Sequence, residues 1–126
     1  MITQEEIIEK YPTLFKEEIN FECLDGWNTL IDVLCKKIEM DIKFHSEEYP
    51  NPVIVSQIKE KFGGLRFRVR GLSQNNRIYS YISFAETLSY RICEECSSQE
   101  DVTRREICGY LYTRCPKCML KLGVII

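Results

Sequence analysis

Apolar positions recur at helical spacing in two long stretches of the chain. Trp27, Leu30, Ile31, Leu34, Cys35, Ile38 and Ile42 step by three and four residues, predicting an amphipathic helix with Asp32, Lys36, Lys37, Glu39 and Lys43 turned mostly the other way. Ile78, Tyr81, Ile82, Ala85, Leu88 and Ile92 predict a second, which delivers the chain directly to Cys93. Between them, residues 53–61 and 65–70 are rich in β-branched and aromatic residues, and Phe62-Gly63-Gly64-Leu65 joins them as a hairpin. Thr3 followed by Glu6 forms a capping box that starts a short N-terminal helix, which Tyr11-Pro12 stops. The charged stretches 45–52 and 71–77 read as loops, and the tail alternates β-like pieces such as Tyr110-Leu111-Tyr112 with turn residues.

These elements predict an α+β fold, two amphipathic helices packed on a β-hairpin or small antiparallel sheet, followed by a small C-terminal module. At 126 residues, one folding unit is expected: a body over 1–92 containing the hairpin 53–70, and an appendage over 93–126 packed on it. The acidic start, Met1-Ile2-Thr3-Gln4-Glu5-Glu6, lacks the basic and apolar regions of a secretory signal, and no apolar run approaches the ~18 residues of a membrane span. A cytoplasmic protein without a membrane partner is therefore expected. The formal charge of −2 hides an uneven layout: residues 1–52 hold 5 basic and 12 acidic side chains, residues 53–77 hold 6 and 1. A local basic surface on an acidic protein bears more on partners than the overall charge does.

Seven cysteines suit a reducing compartment better than a secreted disulfide framework, and four of them fall as Cys93-x2-Cys96-x18-Cys115-x2-Cys118. That spacing predicts a four-thiolate structural zinc site of zinc-ribbon type, with each pair wrapping one edge of a tetrahedron and Pro116 stiffening the second turn. With all four positions filled by protein, no water could bind for catalysis. A redox dithiol is the competing reading, and it lacks a thioredoxin-like βαβ context. Cys23, Cys35 and Cys108 are expected to pack as small apolar residues.

With Gly63-Gly64 as a two-residue loop, Lys61 would oppose Arg66, Lys59 would oppose Arg68, and Gln57 would oppose Arg70. One face would carry Lys59, Lys61, Arg66, Arg68 and Arg70; the other would carry Ile58, Phe62, Leu65, Phe67 and Val69 with Glu60 among them. Directly opposed like charges destabilise a sheet, and an anionic partner would relieve the repulsion. Arginine forks, ammonium groups and a close-approach glycine pair suit phosphate oxygens, which nominates Lys59, Lys61, Gly63, Gly64, Arg66 and Arg68 as ligand-binding residues. Basic residues also protect exposed strands, and the acidic N-terminal half could neutralise them. An area this small gains little from counterion release along a duplex, so a nucleotide or an acidic protein fits better than nucleic acid.

No catalytic constellation is present, and no nucleophile elbow, phosphate loop or dinucleotide fingerprint. His45, the single histidine, has no triad companion and reads as a loop residue. Glu86 lies at the edge of the second helix's apolar stripe, where a salt-bridged or solvated carboxylate is expected. Tyr81 belongs to that helix's core face; Tyr79 and Tyr90 lie further from it and could serve as stacking surfaces.

Three stretches together, Asp25-Gly26-Trp27 leading Leu30-Ile31 and Leu34-Cys35, then the run 57–67 with its core Lys-Phe-Gly-Gly-Leu-Arg-Phe, then the two Cys-x2-Cys pairs, resemble a group of small, uncharacterised phage and prophage proteins. The likeness covers most of residues 23–118, and Arg68 stands where the group often carries an aromatic residue. The resemblance implies a context: small phage proteins of this sort often act on host machinery, including defence systems that signal through nucleotides. The expected function is thus non-enzymatic sequestration of a phosphate-bearing small molecule, with two alternatives, a module that inhibits or redirects a host protein and a nucleic-acid-binding zinc ribbon. Oligomeric state is left open.

Overall fold

The structure, a computed structural model, describes residues 1–123. It is α+β: helices α1 (Gln4–Lys10), α2 (Asn28–Phe44), α3 (Ile78–Leu88) and α4 (Pro116–Leu120), with two antiparallel hairpins, β1 (Ile54–Lys61) with β2 (Gly64–Arg70) and β3 (Thr103–Ile107) with β4 (Tyr110–Arg114). The capping box forms as expected, the Thr3 hydroxyl accepting from the Glu6 N–H at 3.1 Å and the Glu6 carboxylate from the Thr3 N–H at 3.1 Å. None of the described helices is long and apolar enough to cross a membrane.

The core lies between α2, α3 and the inner face of β1–β2. Ile31, Leu34, Cys35 and Ile38 of α2 meet Val55, Ile58, Leu65 and Phe67 of the hairpin and Ile78, Ile82 and Ala85 of α3; Ile7, Tyr11 and Leu14 close the open side. Trp27 is completely buried and donates its indole N–H to the Ile92 carbonyl at 3.1 Å. Truncating such a residue to alanine typically costs ~3–5 kcal/mol, so this single side chain is comparable to much of a small domain's net stability.

The first hairpin turns one residue earlier than the sequence predicts. Phe62 and Gly63 occupy the loop with φ of 55° and 80°, and Lys61 pairs with Gly64, Lys59 with Arg66, and Gln57 with Arg68. This is the sign pattern of a type I′ turn, which glycine takes freely and phenylalanine only at a cost of ~1 kcal/mol. Glu60 favours that choice by accepting the Gly63 N–H at 2.7 Å. The corrected register keeps the same residues on each face, because it moves pairing by two positions. Phe62 is the exception: it leaves the apolar face and stands 59% exposed at the tip. A bulge between Val55 and Gln57 then lets both Val55 and Ile58 point into the core.

Neither edge of this two-stranded sheet is bare. Glu22 bridges β1 in parallel, and the Val55 N–H reaches the Leu14 carbonyl at 2.8 Å. On the β2 side the Leu65 N–H donates to the Ser89 hydroxyl at 2.9 Å and the Phe67 N–H to Glu86 at 2.9 Å. Glu86, expected to be solvated or salt-bridged, is therefore a surrogate strand partner. The second helix also ends earlier than expected: a 3₁₀ turn over Ser89–Arg91 follows α3, and Ile92 is extended.

Candidate metal centre and binding surfaces

Cys93 and Cys96 stand on a turn in which the Ser97 N–H returns to the Cys93 carbonyl at 3.1 Å and the Cys93 N–H reaches Ser98 at 2.8 Å. Cys115 caps α4, whose first residue is Pro116, and Cys118 lies one turn on. The four Sγ atoms all fall within 4.8 Å of one another, close enough to hold a metal ion, and Cys96 and Cys115 approach to 3.6 Å. Cys93, Cys115 and Cys118 are buried; Cys96 forms the exposed corner. Burial pushes the Cys115 thiol up, but the Cys118 backbone N–H and the neighbouring thiols outweigh it and bring it down to about 7. Arg114 pairs with Glu95 at 3.4 Å and with Glu94 at 3.5 Å, and Lys121 reaches Glu95 at 3.4 Å. Cys35 packs in the core as expected, whereas Cys108 does not: it takes φ of 51° at the exposed tip of β3–β4, away from the cluster.

The three stretches that carry the resemblance meet along one seam between body and module. Gly26 lies against the first cysteine turn, donating its N–H to the Glu94 carbonyl at 2.9 Å, and a Cβ there would stand 2.1 Å from the Cys93 carbonyl oxygen. At the hairpin tip, Thr113 donates to the Gly63 carbonyl and Arg104 to the Phe62 carbonyl at 2.8 Å. A Cβ at Gly64 would lie 2.4 Å from the Tyr90 hydroxyl. Close approach is indeed why glycines stand here, but what approaches is the protein's own second hairpin and Tyr90. Buried Glu94 completes the seam, accepting the Thr113 N–H at 2.7 Å.

The sequence-nominated basic residues share the outer face of β1–β2, with differing freedom. Arg70 pairs with Glu17, and Arg66 turns back onto the Leu65 carbonyl at 2.9 Å and toward Tyr90 at 3.4 Å. Lys59, Lys61 and Arg68 make no salt bridge among the described residues, and Lys61 lies 5.4 Å over the Phe62 ring. Gly63 and Gly64 are taken up by the seam. Arg68 also lines a cavity of about 340 Å³ between β2 and α3, with Val69, Tyr79, Ser83 and Glu86. Tyr90, considered a stacking surface, already stacks beneath the Arg104 guanidinium at 5.0 Å. Tyr79 is exposed, and His45 is exposed beside Glu48 at 3.3 Å.

Two features were not anticipated from the sequence. Asp41, on the core side of α2, accepts from Arg77 at 2.7 Å, from the Tyr81 hydroxyl at 2.9 Å and from the Tyr49 hydroxyl, while Arg77 also grips Glu48 at 2.9 Å. Burial alone would raise this carboxyl; the Arg77, Tyr49 and Tyr81 hydrogen bonds outweigh it and hold it below the ordinary carboxylate range. The second is an apolar groove of about 440 Å³ between α2 and α3, lined by Leu30, Val33, Leu34, Tyr81, Phe84, Ala85 and Leu88, with Lys37 at its rim. Val33 is 60% and Phe84 71% exposed. The signals lay in an aspartate three residues after Ile38 on the core stripe, and in α3 having Glu86 as its single charge.

No protein-family model, curated protein or solved structure matches this chain.

Proposed function

We propose that the protein is a non-enzymatic, zinc-stapled interaction module that binds another polypeptide across the α2–α3 face. The observation that carries this reading is the uncharged, exposed side of α3, where Tyr79, Ser80, Ser83, Phe84 and Thr87 stand free beside the apolar groove. Exposed apolar patches of this kind, continuous over two helices, mark contact surfaces. Zinc is the metal that four thiolates at this spacing suit best: Zn–S bonds of about 2.3 Å in a tetrahedron set neighbouring sulfurs about 3.8 Å apart, near the 3.6 Å between Cys96 and Cys115. Such a centre is filled by protein, which supports a scaffolding role in a reducing cytoplasm. In the phage setting that the resemblance implies, the bound polypeptide would be a host protein.

The decisive experiment places a photo-reactive phenylalanine analogue at position 33, 84 or 62 in cells. One discrete polypeptide adduct, identified by mass spectrometry, should arise from 33 and from 84 and not from the hairpin tip at 62. Adducts from 62 alone would move the contact to the basic hairpin.

A second reading has its own support. Lys59 opposite Arg66, with Lys59, Lys61 and Arg68 unpaired among the described residues, favours an anionic ligand on the outer sheet face. A nucleotide or other phosphate-bearing ligand there should raise the melting temperature of the metal-loaded protein, and Lys59→Ala with Arg68→Ala should abolish the shift. Nucleic acid at that face would instead show a steep dependence of affinity on salt.

A further inference from the structure

We infer that the α2–α3 face receives an amphipathic α-helix whose apolar ridge is flanked by carboxylates; the inference rests on reading that face as the docking surface. The apolar stripe does not stop at the groove. On α2 it runs Leu30, Val33, Met40 and Phe44, interrupted only by Lys37, and Phe44 is 69% exposed. From residue 30 to residue 44 is about 21 Å along a helix axis at ~1.5 Å per residue, four turns of an α-helix. A compact ligand would fill the groove and leave the rest of the stripe wet. An antiparallel or parallel helix of about fourteen residues covers all of it, with anchors at three- and four-residue steps.

Charge selects the class of helix. Lys37 is the one charged residue lining the groove, 5.1 Å over the Tyr81 ring, and it has no salt-bridge partner among the described residues. The three acids of α2 do not serve it: Asp32 faces Lys10 at 3.0 Å and the Tyr11 hydroxyl at 2.7 Å, Asp41 is occupied by Arg77, Tyr49 and Tyr81, and Glu39, two residues along, lies on another side of the helix. A second copy docking through the same face would bring a second Lys37 and no carboxylate from the groove, so a two-fold self-contact lacks complementarity. A helix with glutamate or aspartate beside its apolar ridge supplies what Lys37 lacks, at an apolar rim where an ion pair is less screened than in open water.

The test uses the metal-loaded protein and two fluorescein-labelled, 15-residue designed helices with the same leucine ridge, one flanked by glutamate and one by lysine. Fluorescence anisotropy should show the acidic helix binding at least ten-fold more tightly, with Lys37→Glu reversing the order. Phe84→Glu, at an exposed position the fold does not depend on, should abolish binding of both while leaving the circular dichroism spectrum unchanged. Equal affinities, or an order that survives Lys37→Glu, overturn the acidic-helix inference while leaving a docking face that Phe84→Glu still destroys. Binding unaffected by Phe84→Glu, or no binding of either helix, overturns the docking reading itself. Sedimentation equilibrium closes the case: a dimer dissociated by Phe84→Glu would make the face a self-contact, and a monomer is expected.

Discussion

The body and the C-terminal module are held together by different physics. Among the described residues, seventeen buried apolar residues form the body's core, against Cys93, Cys115, Cys118 and Met119 with partly buried Val102 in the module. The first can fold on hydrophobic burial; among the described residues the second offers far less apolar surface, and its four cysteines stand where a metal ion could cross-link it. The difference teaches where each kind of substitution will act, and the seam is where the two regimes meet.

Metal removal has the largest expected effect. A structural zinc site supplies apparent binding energy of ~10–16 kcal/mol in small metal-dependent folds, so chelation should unfold the module before the helices. Hydrogen exchange checks this: the amides of Cys93, Glu94 and Thr113, bonded within the module, should lose protection while those of Ile31 and Ile38 keep it. Simultaneous loss everywhere would mean that the body leans on the module as much as the reverse. Next comes the seam. Gly26→Ala pushes a methyl group to 2.1 Å from a backbone oxygen that cannot swing aside, and about 3 kcal/mol of stability should disappear in a urea titration of metal-loaded protein. A loss under ~1 kcal/mol would show that the two regions slide past one another.

Within the body, Asp41→Ala leaves Arg77, Tyr49 and Tyr81 donors without their acceptor and should cost about 2–3 kcal/mol. The sign of its pH dependence follows from a folded-state pKa below the unfolded value. The contribution is fully present above pH ~4, the unfolded carboxyl value, and fades as pH falls through the lower folded value. Asp41→Asn should therefore flatten the acid limb of the stability curve, and a curve unchanged below pH ~4 would assign that limb to other carboxylates. The smallest effect expected is Thr3→Ala, about 1 kcal/mol from the capping box of α1, with the module's metal affinity unmoved.

Much of this architecture could be read from spacing. The apolar steps of α2 and α3 and the Thr3–Glu6 box are local signals whose elements form near their expected places, and the paired cysteines come together as their spacing predicts. Local rules failed where a partner distant in sequence decides. Whether Phe62-Gly63 or Gly63-Gly64 makes the turn depends, beyond the local Glu60 contact, on Tyr90 lying over Gly64 and on Thr113 holding the Gly63 carbonyl. Asp41 reads as one more polar residue on a helix until Tyr49, Arg77 and Tyr81 are brought around it by the fold. The α2–α3 face escaped notice because two adjacent apolar stripes on one helix blur into a single broad one.

The Trp27–Ile92 and Gly63–Thr113 bonds also fix an order of events during synthesis. Trp27 leaves the ribosome 65 residues before Ile92, counting from 27 to 92, which is roughly 3–13 s at ~5–20 residues per second, and Gly63 leaves 50 residues before Thr113, counting from 63 to 113. In the first interval the indole lacks the Ile92 carbonyl, and in the second the hairpin tip has no threonine to hold it. The nascent chain must wait with its largest apolar side chain unsealed, so the turn that leads into Cys93 completes the start of α2.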